Sequence, residues 1–368
     1  MVECVNAREK QFFAMFVLIC TSQIFPSLTL FVALYLLVLS VYFIIPVPSS
    51  LQYPFHIIAF YCFTHTRMAE EGKIVLSIQS HVTHGYVGNK AATFPLQLHG
   101  FDVDAVNTVS LSNHSGYPII KGHRMDLEEF KNILSGLEAN NFLGLYRYIL
   151  SGYINNTEIV LHVKEVVNKI KELRSSEGKE VFYLCDPVLG DDGRMYCKEE
   201  VIDAYKSILS LADICTPNFY EAFLLSGVEV KDLPSAIEAA EWFHSQGTKM
   251  VVVKSFPDAA DAGRLRFLVS DNRGADKKKY TGTVPFHEGR YTGTGDVFAA
   301  SLLAFFHQCD GDIKRACGLA MGVVQDLILS TIAKGGDGQA DLNSRELRVT
   351  SLPNSLLNPS HTVIVEEI

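Results

Sequence analysis

The feature that most constrains the fold is an alternation of short apolar segments with longer amphipathic segments, which begins near residue 74. Residues 74–78 and 250–254 have the length and composition of buried strands, whereas residues 158–173 and 233–246 repeat apolar side chains at helical spacing. A chain in which strands alternate with helices forms a mostly parallel sheet with helices on both faces. The sequence therefore predicts an α/β domain with three layers.

The C-terminal third is expected to complete this sheet. Residues 264–290 have the pattern of a strand pair followed by a mobile polar loop. Residues 297–307 and 313–332 are long and apolar enough to be the closing helices, and residues 349–352 and 362–365 are short apolar segments that predict edge strands.

Polar residues recur where the predicted strands end. In an open parallel sheet, ligands bind at the carboxyl ends of the strands. Any one polar residue there is more often a cap or a turn residue than a ligand. The recurrence at successive strand ends predicts a binding site that includes Ser80, Tyr153, Asp186, Asp191, Asn218, Glu221 and Ser255.

The segment Thr-Gly-Thr-Gly-Asp at residues 292–296 leads directly into an apolar, alanine-rich run. A helix that begins here leaves backbone N–H groups unpaired and presents the positive end of its dipole, so it attracts an anion such as phosphate. Gly293 and Gly295 let the backbone approach that ligand closely. Asp296 in the first turn is placed to take a proton from a hydroxyl, which predicts phosphoryl transfer to an alcohol. The alternative is an acid that only caps the helix.

Three acidic residues, Asp186, Asp191 and Glu221, have no basic neighbours in the sequence. Carboxylates at one edge of a sheet suit a hard cation such as Mg²⁺ that holds phosphates. The alternative is that they cap helices and pair with distant lysines or arginines.

Several other classes are excluded. The chain has neither a G-x-x-x-x-G-K-[ST] phosphate loop nor a G-x-G-x-x-G after its first strand, so it is neither a P-loop nor a dinucleotide-binding protein. Its net charge is −9 and it has no long basic cluster, so we expect no nucleic-acid partner. Eight scattered cysteines without a C-x-x-C pair are typical of reduced thiols in an intracellular protein.

The N-terminal part differs in composition from everything that follows. Residues 11–66 contain no Asp, Glu, Lys or Arg, and residues 27–46 are as long and apolar as a helix that spans a bilayer. We therefore divide the chain into a hydrophobic extension, residues 1–67, and a catalytic domain, residues 68–368. The expected location is the cytoplasm. The alternative is a membrane anchor through residues 27–46, if the extension belongs to the mature protein rather than to upstream sequence joined to the coding frame.

The domain after Met68 resembles the pyridoxal kinases, a family of the ribokinase-like superfamily. The glycine-rich segment at residues 293–296 occurs across many related kinases, whereas the first two matching segments are much more specific to pyridoxal kinases. The resemblance covers almost the whole domain and rests on residues 77–82, 85–97, 112–117, 185–191, 216–218, 221–222 and 293–296.

This resemblance implies a ribokinase-like sandwich that uses ATP to phosphorylate the 5′-hydroxymethyl group of pyridoxal, pyridoxine and pyridoxamine. Asp296 would activate that hydroxyl, and the N–H groups of Gly293, Thr294 and Gly295 would hold the transferring phosphate. The resemblance also implies Mg²⁺ or a similar divalent ion, K⁺ or a similar monovalent activator, and a homodimer. A segment within residues 272–290 would close over the nucleotide.

The other site residues follow from the same matches. Those that would line the vitamin pocket, besides Asp296, are Ser80, Val109, His114, Ser115 and Tyr153. Those that would surround the nucleotide phosphates and metals are Asp186, Asp191, Tyr196, Asn218, Glu221 and Ser255, together with Gly293 and Gly295.

Three features depart from the family pattern. Lys254 stands where the family has Thr, and its ammonium could reach a phosphate or displace the monovalent cation. Phe219 and Tyr220 replace the usual Gln and Phe after Asn218, and the loop before Tyr196 is short. The competing functions are a hydroxymethylpyrimidine or sugar kinase of the same superfamily and, in another class, a membrane-tethered binding protein that has lost catalysis.

Overall fold

The computed structural model describes residues 72–335 and 342–368. The predicted hydrophobic extension at residues 1–67, with its candidate span at residues 27–46, lies outside the described residues.

The described residues form one large mixed sheet and a small two-stranded ribbon. The large sheet has the order β12-β11-β10-β9-β8-β5-β4-β1-β2-β3, and β6 pairs with β7 in the ribbon. The strands are β1 (Ile74–Val82), β2 (Asp102–Leu111), β3 (Gly122–Arg124), β4 (Tyr148–Ser151), β5 (Phe182–Cys185), β6 (Gly190–Asp191), β7 (Arg194–Met195), β8 (Ile214–Cys215), β9 (Met250–Pro257), β10 (Arg264–Asp271), β11 (Lys278–Pro285) and β12 (Glu366–Glu367).

The six central strands, β9-β8-β5-β4-β1-β2, are parallel. At the edges the pairing is antiparallel, between β2 and β3 on one side and along β9-β10-β11-β12 on the other. Helices connect most of the parallel strands. They are α1 (Asn89–Leu98), α2 (Leu127–Ala139), α3 (Thr157–Ser175), α4 (Glu200–Ile208), α5 (Phe219–Ser226), α6 (Leu233–Ser245), α7 (Thr294–Gln308), α8 (Ile313–Gly335) and α9 (Pro353–Leu357).

Two hydrophobic cores lie on opposite faces of the sheet. Helices α2 to α6 contribute to one core, and α1, α7, α8 and α9 contribute to the other. Successive residues of a strand alternate between them: Ile149 of β4 belongs to the first core and Leu150 to the second. Apolar side chains on both faces are what a central parallel strand requires. The predicted three-layer α/β sandwich is confirmed.

Helix α8 is the only helix among the described residues that is long and apolar enough to cross a membrane. Of its most apolar 18-residue segment, 67% is buried inside the protein. Its apolar surface is covered mainly by α7 and the second core, which is the environment of a core helix.

Some predicted boundaries are wrong. Residues 349–352 do not form an edge strand, because Val349–Ser351 is a short 3₁₀ helix that leads into Pro353, the first residue of α9. The C-terminal edge strand is Glu366–Glu367 rather than residues 362–365. Strand β1 extends to Val82, so Ser80 lies within it rather than after it.

Candidate active site

The N-terminus of α7 lies at the centre of the site. Gly293 precedes the helix with a φ of 94°, and a Cβ atom there would lie 2.0 Å from the carbonyl oxygen of Tyr86. Only glycine fits this position, for reasons of both backbone conformation and space. No side chain caps the first turn, so its N–H groups face the site without a side-chain partner. The helix start that the sequence predicted is therefore formed, and anion binding there stays a prediction.

Asp296 lies in the first turn of α7 and is partly buried. Burial raises the pKa of its carboxyl to about 6, although a hydrogen bond from the Gly88 backbone and the nearby Lys254 act in the opposite direction. A carboxylate whose pKa lies closer to neutrality is a better proton acceptor at neutral pH than one with the ordinary value. Asp296 therefore has the protonation behaviour of a general base.

A second group of charges surrounds Lys254 beside this helix. The ammonium Nζ of Lys254 lies 2.7 Å from Oδ1 of Asp186 and 3.9 Å from Oε2 of Glu221. Burial lowers the pKa of Lys254, but the two carboxylates raise it by more, so the net pKa is above its ordinary value. The ammonium is therefore charged, and the predicted pairing of these acids with a distant lysine is observed for Asp186.

Glu221 also has a structural role. Its side chain accepts hydrogen bonds from the backbone N–H groups of Leu189 at 3.2 Å and Asn218 at 2.8 Å. Asn218 in turn caps α5 by accepting from the N–H of Glu221, and its amide donates to the carbonyl oxygen of Gly190 at 2.8 Å. Both residues thus join the start of α5 to the β6–β7 ribbon, which is the capping alternative left open by the sequence.

The predicted metal-ligand set of Asp186, Asp191 and Glu221 is not assembled as one cluster. Within residues 72–335 and 342–368, no group of three or more His, Cys, Asp or Glu side chains is arranged to hold a metal ion. The physical reason is that both oxygens of Glu221 accept backbone hydrogen bonds and the Lys254 ammonium lies next to it.

Asp186 nevertheless retains a free ligand atom. Its Oδ1 accepts hydrogen bonds from Thr216 and Lys254, each at 2.7 Å, whereas its buried Oδ2 has no hydrogen-bond partner. That oxygen lies 3.8 Å from the point that a Cβ on Gly295 would occupy, beside the anion-binding turn. An unpaired buried carboxylate oxygen next to a phosphate position suits a Mg²⁺ ion that keeps most of its ligands as water and phosphate.

The other predicted nucleotide residues lie around the same edge. Asp191 ends the short strand β6, and burial raises the pKa of its carboxyl. Burial also raises the pKa of Tyr196 to about 12, and the carbonyl oxygen of Tyr196 accepts a hydrogen bond from the hydroxyl of Tyr153 at 3.1 Å. Ser255 is partly buried within β9 beside Lys254.

The candidate vitamin pocket begins at a β-bulge between β1 and β2. Ser80 opposes two residues of β2, Thr108 and Val109, because the register shifts between Gln79 and His81. A bulge bends a strand and re-aims its side chains, and it is common next to active sites. Ser80 and Val109 are both buried there.

The rest of the candidate pocket comes from a loop. His114 is buried, and its Nδ1 accepts a hydrogen bond from the N–H of Gly116 at 3.0 Å. Ser115 is exposed in the same loop. The structure therefore places Ser80, Val109 and His114 inside the protein and leaves Ser115 at its surface.

Glu346 is a site residue that the sequence did not reveal. Its Oε1 lies 3.0 Å from Nε2 of His114 and accepts a hydrogen bond from the hydroxyl of Tyr117 at 3.1 Å. Its Oε2 accepts from the N–H of Tyr86 at 3.4 Å. One buried carboxylate near the C-terminus thus holds two loops of the vitamin side, but an isolated acid that is 229 positions from Tyr117 and 260 from Tyr86 gives no sequence signal.

Asn89 was also missed, although it lies in a segment that carried the resemblance. Its side chain accepts from the hydroxyl of Ser77 at 2.7 Å and donates to Oδ1 of Asn107 at 2.9 Å and to the carbonyl oxygen of Val106 at 3.1 Å. These bonds join the start of α1 to β1 and β2 directly behind Gly88. Asn89 therefore fixes the loop that contacts Asp296.

Only part of the segment that was expected to close over the nucleotide lies near it. The turn at residues 272–277 joins β10 to β11, and Arg273 donates to the carbonyl oxygen of Gly311, beyond the C-terminal end of α7. A helix of 15 residues is about 22 Å long, so this turn is far from Gly293. Residues 286–290 remain, and Arg290 contacts Asp192 next to Asp191 at 3.1 Å.

A carboxyl group with a raised pKa at a glycine-rich helix start, at the carboxyl edge of a parallel sheet covered on both faces, is typical of the ribokinase-like small-molecule kinases. The profile of the phosphomethylpyrimidine kinase family matches residues 152–341. Human pyridoxal kinase is 36% identical over 315 residues, which cover 80% of this chain and 98% of the human protein.

Two solved structures are similar as well. Pyridoxal kinase from Leishmania donovani in complex with ADP has a TM-score of 0.78 and 64% identity, over 80% of this chain and 99% of that one. Pyridoxal kinase from Trypanosoma brucei has a TM-score of 0.72 and 53% identity over the same shares of the two chains. The chain belongs to the pyridoxal kinase family.

Proposed function

We propose that this protein transfers the γ-phosphoryl group of ATP to the 5′-hydroxymethyl group of pyridoxal, pyridoxine and pyridoxamine. The observation that carries the proposal is the placement of Asp296, with its raised pKa, in the first turn of a helix whose N–H groups face the site. The relatives support the choice of substrate, since solved structures of the Leishmania donovani protein hold ADP together with pyridoxamine or pyridoxine.

The chain's own residues account for the proton and the charge in this reaction. Asp296 accepts the proton of the hydroxyl as the hydroxyl oxygen attacks the γ-phosphorus. The bond between the γ-phosphorus and the β,γ-bridging oxygen breaks in the same transfer, and ADP leaves with that oxygen. The N–H groups of Thr294 and Gly295 stabilise the charge on the transferring phosphoryl oxygens, as does the dipole of α7. Phosphoryl transfer needs mainly positioning and charge neutralisation, and these groups supply the base and part of the charge neutralisation.

The divalent ion would be held by Asp186, through its unpaired Oδ2, and by Asp191 at the ribbon. Bound there with ATP, Mg²⁺ would neutralise phosphate charge and orient the γ-phosphoryl group. We assign Glu221 a structural role at the start of α5 rather than that of a ligand, since each of its oxygens accepts a backbone hydrogen bond.

The competing substrate is hydroxymethylpyrimidine, which the match to the phosphomethylpyrimidine kinase profile favours. The test uses the full-length protein with Mg²⁺ and ATP, and measures kcat/KM for each B6 vitamer and for hydroxymethylpyrimidine by ADP release. We expect every B6 vitamer to be the better substrate. A higher kcat/KM for hydroxymethylpyrimidine would overturn the proposal in favour of the competing function.

We also propose that the protein acts as a homodimer in the cytoplasm. The resemblance implies the dimer, and the five cysteines in the described part of the chain are free thiols, as is usual in a reducing compartment. Light scattering of the purified protein measures the first property. Fractionation of cells, with an immunoblot that reports the size of the mature chain, measures the second and tests the anchor at residues 27–46.

A further inference from the structure

Two carboxylates lie beside the Lys254 ammonium at the carboxyl edge of the sheet, and a threonine hydroxyl donates to one of them. Asp186 follows β5, Thr216 follows β8, and Glu221 lies in the first turn of α5. Oδ1 of Asp186 lies 2.7 Å from both the ammonium and the hydroxyl of Thr216, and Oε2 of Glu221 lies 3.9 Å from the ammonium. Such a set of oxygens is what a monovalent cation requires.

The backbone of β9 places Lys254 in this position. Lys254 and Ser255 together oppose one residue of β10, Phe267, because the register shifts there, so the strand has a bulge at this point. The N–H of Lys254 donates to the carbonyl oxygen of Pro217 at 2.9 Å, which attaches the bulge to the end of β8. The lysine is thus held by its backbone as well as by its charge, and its side chain is only 13% exposed.

The same ammonium also borders the phosphate position. A Cβ atom on Gly295 would lie 3.3 Å from Nζ, so the ammonium lies against the first turn of α7. A lysine ammonium is a compact charge with three donors, one of which is taken by Asp186. The remaining donors are available to Glu221 and to an oxygen at the helix start.

The potassium ion that the resemblance implies does not fit among these residues. Its candidate ligands are the oxygens that already surround the ammonium, and a second cation beside it would be strongly repelled at such a distance. The substitution of Lys for the usual Thr therefore replaces a neutral side chain with a tethered cation.

We propose that the Lys254 ammonium is the built-in monovalent cation of this active site, an inference that rests on the proposed function. The ammonium pairs with Asp186 beside Glu221 and presents a fixed positive charge to the transferring phosphate, so that catalysis requires no added potassium.

The first test measures pyridoxal phosphorylation by the full-length protein in buffer that contains only organic monovalent cations, and then adds KCl or, for equal ionic strength, choline chloride. We expect kcat to change by less than about twofold with KCl relative to choline. A specific activation of about tenfold or more by K⁺, which is 1.4 kcal/mol, would overturn the inference.

Two variants sharpen this test. Lys254→Thr should lose about 100-fold in kcat without potassium, the usual scale for one preorganised charged donor, and regain much of it with KCl. Lys254→Met should lose a similar factor and regain none, because its side chain offers no oxygen ligand. The control is Lys249→Met, since Lys249 lies next to the start of β9 and pairs with Asp213 at the same 2.7 Å but is 60% exposed. Its kcat should be unchanged. Equal activity of Lys254→Met and the unmodified protein would contradict the inference.

A readout without catalysis separates this inference from the proposed function. We expect the thermal midpoint of the unmodified protein to respond equally to KCl and choline chloride, and that of Lys254→Thr to rise specifically with KCl, because binding stabilises the folded state. A potassium-specific rise in the unmodified protein would refute the built-in cation even if the substrate proved to be a different alcohol. A protein that phosphorylates no B6 vitamer but shows the expected pattern would refute the proposed substrate alone.

Discussion

The two sides of the site are built differently. On the phosphate side, Asp186 and Glu221 are 1% and 2% exposed and are fixed by hydrogen bonds to strand ends and a helix cap. On the vitamin side, residues 112–121 form a loop in which Ser115 is exposed and Ile119 is 70% exposed, and the buried His114 is held by Glu346 from the C-terminal segment.

This difference separates the residues that stabilise charge during the reaction from those that select the substrate. Charge stabilisation needs groups fixed to within fractions of an ångström, which strand ends and helix starts provide. Selection among related alcohols depends on the shape of a pocket, which loops can change without disturbing the sheet. Substitutions on the phosphate side should therefore lower kcat, and those on the vitamin side should mainly raise KM.

The largest effect is expected for Asp296→Asn. Removing the general base should lower kcat by at least about 10²-fold, while pyridoxal still binds. The control is Asp310→Asn, an exposed acid just beyond the other end of α7, whose φ of 52° asparagine tolerates. Steady-state kinetics and an equilibrium titration with pyridoxal measure both quantities. Unchanged turnover would refute the role of Asp296.

The same variant should not be less stable at neutral pH. The pKa of Asp296 is raised from 3.8 to about 6, so the folded protein binds this proton more tightly than the unfolded chain does. Its contribution to stability therefore decreases as the pH rises from about 4 to about 6, and above that window the ionised carboxylate destabilises the fold. Asp296→Asn removes this cost, so its thermal midpoint at pH 7 should equal or exceed that of the unmodified protein. A clear decrease would show a structural role instead.

The pH dependence of kcat should show the titration of Asp296. Below a pH of about 6, kcat should fall about tenfold for each pH unit, because only the ionised Asp296 accepts the proton. The residual activity of Asp296→Asn should lack this limb. A profile that stays flat from pH 8 down to pH 5 would contradict the proposed pKa.

On the vitamin side, Glu346→Gln should raise the KM for pyridoxal by about tenfold, the scale of one lost charge-assisted hydrogen bond, and leave the KM for ATP unchanged. Burial raises the pKa of Glu346, but hydrogen bonds from His114, Tyr117 and the backbone of Tyr86 lower it by more, so the carboxylate is charged. Glu367→Gln, at an exposed position of β12, is the control. A fall in kcat with both KM values unchanged would contradict the division between the two sides.

The smallest effect is expected for Arg290→Ala. Arg290 pairs with Asp192 at 3.1 Å, but the two side chains are 62% and 51% exposed. Such surface pairs contribute about 0.2–1 kcal/mol, so the KM for ATP should rise by no more than about fivefold. A much larger loss would show that Arg290 contacts the nucleotide itself.

The sequence predicted the sheet and the anion-binding helix because both depend on local patterns. Alternating apolar segments and the Gly293–Asp296 turn predict the same local structure whatever the rest of the chain does. The strand at residues 349–352 was predicted wrongly because a short apolar run fits a buried turn as well as a strand, and the Pro353 that follows begins a helix.

Contacts between distant residues could not be predicted in this way. Lys254 was recognised as a departure, but its pairing with Asp186 requires knowledge of which strands are neighbours, and 68 residues separate the two. The surroundings of Glu221 could not be predicted for the same reason, because the ammonium and the capping box around it appear only in three dimensions.

The central claim is that this site phosphorylates B6 vitamers in preference to other small alcohols. The most direct test is a competition in which the full-length protein receives Mg²⁺, ATP labelled in the γ-phosphoryl group, and equal concentrations of pyridoxal and hydroxymethylpyrimidine. The ratio of the initial rates of product formation then equals the ratio of the two kcat/KM values. We predict that the label accumulates mainly in pyridoxal 5′-phosphate. Label found mainly in the phosphorylated pyrimidine, or only in inorganic phosphate, would contradict the claim.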